Sequence, residues 1–267
     1  MAMIAIIASR SDPAAMNIAR ALIEGYGFRE ANGKGARYDR GDISLFLIDG
    51  EATESDGIDK RLGADAIIFA SRHRSAARLP CLTIHATGNP MGCGASAKGL
   101  AMADPIRMKV ALRALSEAKS ELGLEEFLVS LEATHHGPTE LDAPSFFAEI
   151  GSSEEDWSNP EAGEAVSRAI FSAASLKGSG IPSVGFGGGH YSMKHTRAEL
   201  DSEYAIGHIF PKYFFEGNFS KASIELAFRR TSGNCSTALL DWKGIKGPQR
   251  RALLEALEEM GIEAVRI

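Results

Sequence analysis

Apolar runs of strand length alternate with amphipathic runs of helix length from one end of the chain to the other. No Pro/Gly/Ser-rich linker and no internal repeat interrupts this alternation, which is typical of the α/β class. The apolar runs predict strands at residues 4–8, 43–48, 66–70, 81–86, 127–131, 145–150, 181–186, 236–241 and 263–267.

Four helix starts can be read directly from the sequence. Asp12-Pro13, Asp104-Pro105 and Asn159-Pro160 precede predicted helices at residues 14–24, 106–122 and 161–176, and Gly247-Pro248 opens the last helix. A capping side chain followed by proline in the first turn is a helix-start signal. Because helices that connect successive strands favour right-handed crossovers, we expect a three-layer α/β sandwich. Its sheet would be mixed but mostly parallel, with helices on both faces.

The length of the chain and its lack of long apolar segments limit the classes of protein it can belong to. A chain of 267 residues can bury about three quarters of the surface its unfolded form exposes, so one domain is expected. The apolar stretches fall far short of the roughly 20 residues that cross a bilayer. The first residues lack a basic start and a cleavage site, and Cys81, Cys93 and Cys235 form no CxxC pair. We therefore expect a cytoplasmic protein without membrane spans.

The net charge of −6 is distributed unevenly along the chain. Residues 144–167 contain six acids and no base, whereas two other segments are basic and free of acids. The basic side chains are Arg72, Arg74, Arg78 and Lys98 in residues 66–103, and Lys243, Lys246, Arg250 and Arg251 in residues 242–254. Two such segments could bind the phosphates of a nucleic acid, although solvated loops with no ligand explain them equally well.

Five of the seven histidines follow or end predicted strands: His73, His85, His135, His136 and His190. Open α/β sheets bind ligands at the carboxyl ends of their strands, so we predict that these histidines share one site at that edge. The densest segment, residues 132–139, contains Glu132, two adjacent histidines and Thr139. Imidazoles beside a carboxylate suit zinc, although neither HExxH nor a zinc-finger spacing is present. A hydrogen-bonded histidine pair that only fixes a loop is the alternative.

Other polar segments lie near the same predicted edge. Gly187, Gly188 and Gly189 follow a predicted strand, and their backbone amides could form a hollow for an anion. Arg72 and Arg74 could clamp a phosphate, and Asn89 could position a carbonyl or a sugar hydroxyl. The chain has no P-loop, no GxSxG elbow and no glycine in its first βα turn. These absences argue against a nucleoside triphosphatase, a serine hydrolase and a dinucleotide enzyme.

Several segments together resemble the zinc-dependent D-aminoacyl-tRNA deacylases of archaea and plants. The central block EATHHGPTE at residues 132–140 is the most specific of them. The other matching segments are ASRH (70–73), HATGN (85–89), PSFF (144–147), EIGSSEE (149–155), GGGHY (187–191), GHI (207–209) and DWKG (241–244). The resemblance implies a monomeric zinc enzyme with a fold similar to the phosphorylase and peptidyl-tRNA hydrolase group. It also implies hydrolysis of D-aminoacyl esters of tRNA.

Residue chemistry and motif position suggest a role for each candidate. We predict His135, His136, His190 and His85 as metal ligands, Glu132 as ligand or general base, and His73 or Thr139 as hydrogen-bond donor to the oxyanion. We predict that the tRNA is bound by Arg72, Arg74, Asn89, Gly187, Gly188, Gly189, Arg250 and Arg251. His195 is not expected to be an essential ligand. Three alternatives remain open: a metal-dependent peptidase or amidohydrolase acting on small substrates, a phosphate-dependent nucleoside phosphorylase, and an RNA-binding module without catalysis.

Overall fold

A computed structural model describes residues 3–31, 33–92, 98–217 and 219–267. Its strands are β1 (Ile4–Ser9), β2 (Arg29–Glu30), β3 (Arg37–Arg40), β4 (Ile43–Ile48), β5 (Ala66–Arg74), β6 (Cys81–Ala86), β7 (Gly88–Asn89), β8 (Gly99–Leu100), β9 (Leu128–Leu131), β10 (Ser145–Ser152), β11 (Ile181–Phe186), β12 (Tyr204–Phe210), β13 (Thr237–Leu240) and β14 (Glu263–Arg266). Its α-helices are α1 (Pro13–Tyr26), α2 (Ile58–Leu62), α3 (Pro105–Glu121), α4 (Glu154–Ser158), α5 (Pro160–Ser175), α6 (Met193–Asp201), α7 (Lys221–Arg229) and α8 (Gly247–Glu259). Short 3-10 helices span Ala52–Glu54, Lys212–Glu216 and Trp242–Gly244.

The helix starts predicted from proline and capping residues are confirmed. Asp12 accepts hydrogen bonds from the amides of Ala14 and Ala15 at 2.9 and 3.0 Å, and α1 ends at Gly27 with φ 69°. Asp104 and Asn159 cap α3 and α5 in the same way. A side chain that accepts from the first amides satisfies donors that have no partner within the helix.

The α/β class with a mostly parallel sheet is confirmed, but the strands form two main sheets rather than one. The larger has the order β2-β3-β4-β1-β5-β10-β6-β9, and the smaller has the order β12-β11-β13-β14 with all strands parallel. In the larger sheet β10 is parallel to β5 but antiparallel to β6. β5 and β6 therefore run in opposite directions, and their carboxyl ends lie at opposite ends of the sheet.

The two faces of the larger sheet differ in what covers them. Side chains such as Ile6, Ile68 and Ala148 pack against the three long helices α1, α3 and α5, all on one face. The opposite face carries Phe69 and Phe147, whose rings stack at 4.6 Å between centroids, and it is covered by the short α2 and by loops. We predicted helices on both faces, but the long helices all lie on one face and the short α2 lies on the other. The second face therefore has room for polar side chains.

The smaller sheet has an apolar core of its own. Val184, Phe186, Phe210 and Leu240 pack there with residues of α7 and α8. Across the described residues, no helix is both long enough and apolar enough to span a membrane. Cys81 and Cys235 are free thiols; Cys93 lies outside the described residues.

Candidate active site

Three neighbouring strands supply the base of a polar cluster. On β10, Gly151 pairs with His73 of β5, and Phe147 pairs with His85 of β6. Glu149 lies midway between these positions, and because side chains two residues apart share a face, all three polar groups project from the face opposite the long helices. His73 and His85 are separated by four residues along β10, which is about 13 Å. The side chain of Glu149, between these two positions, contacts both histidines.

The segment after β9 adds the next groups and joins the two sheets. The Glu132 amide donates to the Ile84 carbonyl at 3.0 Å, which holds Glu132 beside β6. The Ala133 amide donates to the carbonyl of His190 at 2.9 Å, and His190 lies in the turn that follows β11 of the smaller sheet. This pairing places Glu132, His135, His136 and His190 over the face that carries Glu149.

Glu132 is in contact with three imidazoles. Its Oε1 lies 3.1 Å from Nδ1 of His73, and its Oε2 lies 3.4 Å from Nε2 of His190 and 4.0 Å from Nε2 of His135. The carboxylate is buried, whereas His135 and His190 are partly exposed. Glu132 therefore lies at the bottom of a cluster whose upper rim meets solvent.

Glu149 makes a second, overlapping set of contacts. Its Oε2 lies 3.4 Å from Nδ1 of His73, and its Oε1 lies 3.6 Å from Nε2 of His85 and 3.8 Å from Nε2 of His136. All five histidines that the sequence groups together thus contact one or other carboxylate, and His73 contacts both. We call these five histidines with Glu132 and Glu149 the carboxylate–imidazole cluster.

Backbone carbonyls fix the orientation of three of the rings. Nδ1 of His85, His135 and His136 lies 3.1, 2.8 and 2.9 Å from the carbonyl oxygens of Ala86, Ala133 and Gly137. A carbonyl oxygen can only accept, so Nδ1 carries the proton and Nε2 presents its lone pair to the cluster. This is how proteins orient histidines that bind metals.

The cluster fits a divalent metal. Among the described residues, both oxygens of Glu132, both oxygens of Glu149 and Nε2 of His85 are buried without a hydrogen-bond partner. Buried polar atoms without partners are rare and require an explanation, which a bound ion supplies. Three sets of side chains have ligand atoms within 4.8 Å of one another: His85 with His135 and His136, His73 with Glu132 and His190, and His85 with Glu132 and Glu149. Imidazole nitrogens with carboxylate oxygens form a donor set that zinc accepts.

Charges within the cluster are strongly coupled. Burial lowers the pKa of His73, but its close contacts with the negatively charged carboxylates of Glu132 and Glu149 outweigh this effect and raise the pKa to about 10. Burial raises the pKa of both carboxyls, but their contacts with the surrounding histidines hold both pKa values well below the usual range. Burial and the neighbouring histidines lower the pKa of His135. At neutral pH the cluster therefore contains two carboxylates, a protonated His73 and a neutral His135 that can act as a ligand.

Comparisons with known proteins agree with this geometry. A family model described as D-aminoacyl-tRNA deacylase matches residues 60–265. This chain belongs to the D-aminoacyl-tRNA deacylase family. A D-aminoacyl-tRNA deacylase of Thermococcus kodakarensis is 40% identical, covering 98% of each chain. That of Pyrococcus furiosus is 39% identical with the same coverage, and that of Methanosarcina barkeri is 37% identical over 98% of this chain and 89% of its own.

One solved structure has the same fold along nearly the whole chain. It is described as a conserved protein of unknown function, and it superposes with a TM-score of 0.90 at 31% identity, covering 99% of this chain and 95% of its own. The paired sheets described above are therefore found in a crystallised protein as well as in this member of the deacylase family.

The sequence predicts a shared site at the carboxyl edge of a sheet, but the cluster is not built at such an edge. β5 and β6 lie on either side of β10 and run in opposite directions, because β10 is parallel to β5 and antiparallel to β6. His73 and His85 therefore approach Glu149 across one face of the sheet. The direction of a strand cannot be read from its own residues. The antiparallel pairing of β10 with β6 is the reason why the cluster lies on a sheet face and not at a carboxyl edge. The same five histidines are nevertheless brought together.

Several predicted substrate residues lie around the cluster in structural roles. The amide of Thr139 donates to Asp56 at 2.7 Å, and its side chain lies against Gly99. Asn89 is buried in β7, opposite Gly99 in β8. The deacylase family motifs at these positions thus help to fix the loop that carries the histidine pair, and binding of substrate by Thr139 or Asn89 remains a prediction.

The glycine turn after β11 is packed closely against the loop after β13. The Gly187 amide donates to the Phe210 carbonyl at 2.8 Å, so it is not free to bind an anion. Gly187 has φ 96°, and a Cβ there would lie 2.9 Å from the carbonyl oxygen of Asp241. A Cβ on Gly244 would lie 2.5 Å from the Gly188 nitrogen. Close backbone packing therefore accounts for much of this glycine run.

The predicted arginines divide into engaged and exposed side chains. Arg72 donates to the Ser11 carbonyl at 3.2 Å and lies 3.5 Å from Glu51. Arg250 donates to the Trp242 carbonyl at 2.7 Å and stacks over the Trp242 ring. Arg74 and Arg251 are exposed. The guanidinium of Arg74 lies over the Trp157 ring, 5.3 Å from its centroid. Of these four arginines, Arg251 is therefore the one placed to meet a phosphate without first breaking a contact within the described part of the protein.

Sequence reasoning missed Glu149 and Tyr191 as residues of the site. Glu149 interrupts the apolar strand that contains Phe146, Phe147 and Ile150, and a lone acid within such a run was a usable signal. The remaining histidines have structural roles. His195 Nε2 lies 3.1 Å from the Leu239 carbonyl, and burial lowers the pKa of His195 to about 4.

Proposed function

We propose that this chain hydrolyses the ester bond between a D-amino acid and tRNA, with the carboxylate–imidazole cluster as its active site. One observation carries the assignment: in a member of the deacylase family, five imidazoles converge on two buried carboxylates whose oxygens lack hydrogen-bond partners. Buried carboxylates whose oxygens accept no hydrogen bond are costly to fold, which favours a functional role for them.

The donor set indicates which residues would hold zinc. His85, His135 and His136 would bind through Nε2, because a backbone carbonyl already occupies each Nδ1. His190, Glu132 and Glu149 offer further nitrogen and oxygen ligands. When bound, zinc polarises a carbonyl group and makes water a nucleophile near neutral pH.

The side chains of the cluster supply the proton transfers that ester hydrolysis requires. An ionised carboxylate can take a proton from water as the water attacks the ester carbonyl, and Glu132 is ionised because its pKa is held low. In the metal-free fold His73 is positively charged at neutral pH, and a positive charge at this position offsets the negative charge that develops on the substrate oxygen. We assign this charge-stabilising role to His73 rather than to Thr139, since Thr139 lies against Asp56 and Gly99.

Selection of D over L aminoacyl esters follows from steric exclusion. The two enantiomers carry identical groups, so a site must fix the amino group, the carbonyl and the ribose, and then test where the side chain falls. An L side chain would then be driven into the wall of the site. Rejection by such a clash can exceed what one lost favourable contact provides. Because the D side chain points outward, its identity should matter little.

The tRNA backbone would lie over the basic segment 242–251. This segment begins directly beside the glycine turn that leads into His190, and within it Lys243 and Arg251 are exposed. Phosphate contacts of this kind position a nucleic acid without reading its sequence. We further propose that the protein acts as a monomer in the cytoplasm, where aminoacyl-tRNA is made and used.

The test compares D-Tyr-tRNA with the ethyl ester of D-tyrosine, each before and after removal of metal by a chelator. We expect fast hydrolysis of D-Tyr-tRNA, much slower hydrolysis of the small ester, loss of activity on chelation and recovery on addition of zinc. Equal rates on both esters would instead support a hydrolase of small substrates. Full activity in protein shown by elemental analysis to contain no metal would overturn the metal assignment.

A further inference from the structure

The ring of His73 is oriented differently from the three rings that backbone carbonyls fix. His85, His135 and His136 turn Nε2 toward the cluster, whereas His73 turns Nδ1 toward it, 3.1 Å from Glu132 and 3.4 Å from Glu149. Its outer nitrogen, Nε2, lies 2.9 Å from the hydroxyl of Tyr191. The hydroxyl of a side chain thus orients the ring of His73, whereas backbone carbonyls orient the other three rings.

The backbone of Tyr191 is fixed by the same pairing that positions Glu132. Tyr191 and Glu132 form an antiparallel bridge, the His190 carbonyl accepts from the Ala133 amide at 2.9 Å, and the Ser192 amide donates to the Leu131 carbonyl at 2.8 Å. Tyr191 follows β11 of the smaller sheet, whereas His73 belongs to β5 of the larger sheet. The phenol–imidazole hydrogen bond thus joins the two sheets at the cluster.

The rest of His73 is also tightly constrained. The indole Nε1 of Trp157 donates to the His73 carbonyl at 3.1 Å. A Cβ on Gly151 would lie 2.7 Å from Cβ of His73, so only glycine leaves room for this side chain. These contacts fix the backbone and Cβ of His73 but not the rotation about its side-chain bonds. The hydrogen bond to the Tyr191 hydroxyl fixes that rotation.

We propose that Tyr191 is a positioning residue for ester hydrolysis, which holds the imidazole of His73 with Nδ1 facing Glu132 and Glu149. A hydroxyl, unlike a carbonyl, can donate or accept. It can therefore stay bonded to Nε2 of His73 whether or not that nitrogen carries the proton. A tyrosine hydroxyl keeps its proton at neutral pH, so it can always donate one hydrogen bond. The hydroxyl also contacts Ser75 and lies 3.9 Å from the Cys81 thiol.

This inference rests on the proposed function, and the first test is kinetic. Tyr191→Phe keeps the ring and removes only the hydroxyl. With D-Tyr-tRNA as substrate, we expect kcat to fall about 10- to 100-fold, as for the loss of one buried hydrogen bond, with KM changed less than about threefold. Tyr38→Phe, on β3 away from the cluster, is the matched control and should leave both constants unchanged. A Tyr191→Phe variant with the kcat of the natural protein would overturn the proposal.

A double-mutant cycle shows whether Tyr191 acts through His73. If it does, Tyr191→Phe should cause little further loss in a His73→Asn background. Equal fold losses in both backgrounds would mean that the hydroxyl acts independently of His73, which contradicts the proposal. Loss of one buried hydrogen bond should lower the melting temperature of Tyr191→Phe by only a few degrees, so the variant should stay folded at the assay temperature and its lower kcat reports on the site.

Nuclear magnetic resonance of the ¹⁵N-labelled protein provides a readout that does not depend on turnover. The Nε2 resonance of His73, assigned by its loss in His73→Asn, should have a hydrogen-bonded shift and should move in Tyr191→Phe, while that of His85 should not. A His73 resonance unchanged by Tyr191→Phe would refute the contact. This measurement remains decisive even if the chain proved inactive on D-aminoacyl-tRNA, so failure of the proposed function and failure of the positioning role can be told apart.

Discussion

Glu149→Gln is the substitution that tests the composition of the cluster most sharply. Glutamine keeps the shape of the side chain but removes its charge. The carboxylate lies 3.4 to 3.8 Å from nitrogens of His73, His85 and His136, so one substitution alters three contacts. Loss of a single partner around a metal ligand usually costs 10- to 100-fold in activity or metal affinity. We therefore expect losses of about 100-fold or more, or about 2.7 kcal/mol, in both kcat/KM and zinc affinity.

The stability of the same variant should not follow its activity. In the metal-free protein both carboxylates are buried, and their oxygens lack hydrogen bonds among the described residues. Replacing this charge removes a desolvation cost but also removes one of the two carboxylates that hold the proton on His73, so the two effects offset each other. The melting temperature of metal-free Glu149→Gln should therefore lie close to that of the natural protein. Only the natural protein should gain a large further increase on addition of zinc, because a ligand stabilises the state that binds it.

Glu199→Gln is the control for the same exchange at another buried glutamate; burial raises the pKa of Glu199 to about 8, so this substitution changes the shape and polarity of the site but removes little charge. Glu199 is as deeply buried as Glu149 but lies on α6 and accepts from the Ile206 amide at 2.7 Å, outside the cluster. Its substitution should leave kcat/KM and zinc content unchanged. If Glu149→Gln retained kcat/KM within about threefold (less than 1 kcal/mol) together with full zinc content, the reasoning about the cluster would be refuted.

Two further predictions concern RNA binding and pH. Arg251→Glu should weaken tRNA affinity and make its salt dependence shallower by roughly one unit in a log–log plot. Arg168→Glu is the control and should change neither, because Arg168 pairs with Glu121 and Glu164. Unchanged affinity on reversal of Arg251 would contradict the proposed footprint. The pKa of His73 in the metal-free fold is about 10 against an ordinary 6.5, so its stabilising contribution is complete below pH 6.5 and is lost as pH rises through 10. Urea unfolding of metal-free protein should show an alkaline loss of a few kcal/mol, which His73→Asn should abolish; an identical loss in that variant would exclude His73 as its source.

Local signals in the sequence were sufficient for the helix starts and for the histidines. The Asp-Pro and Asn-Pro pairs fix where α1, α3 and α5 begin, because the cap and the proline act within one turn. Adjacent His135 and His136 beside Glu132 mark a site since such residues seldom cluster without a function. These features depend on neighbours in sequence, so they can be read without knowledge of the fold.

Features set by distant parts of the chain could not be predicted in the same way. β12 was missed because Gly207 and His208 interrupt its apolar run, and both are explained only by tertiary packing. A Cβ on Gly207 would lie 2.9 Å from Thr231, and His208 Nε2 lies 3.1 Å from the carbonyl oxygens of Ala101 and Arg230. The importance of Glu149 likewise depends on strand register, which places it between His73 and His85. A register is fixed by pairing across the sheet, so it cannot be read from the residues of one strand alone.

The central claim is that the carboxylate–imidazole cluster hydrolyses D-aminoacyl-tRNA and rejects the L form. The most direct test is the ratio of kcat/KM for D- and L-Tyr-tRNA, measured on zinc-loaded protein and repeated with Asp and Phe esters. We predict a large ratio in favour of the D form for all three, with the D rates similar to one another because the side chain points outward. Ratios near one, even with fast hydrolysis, would contradict the account and would identify a general esterase instead.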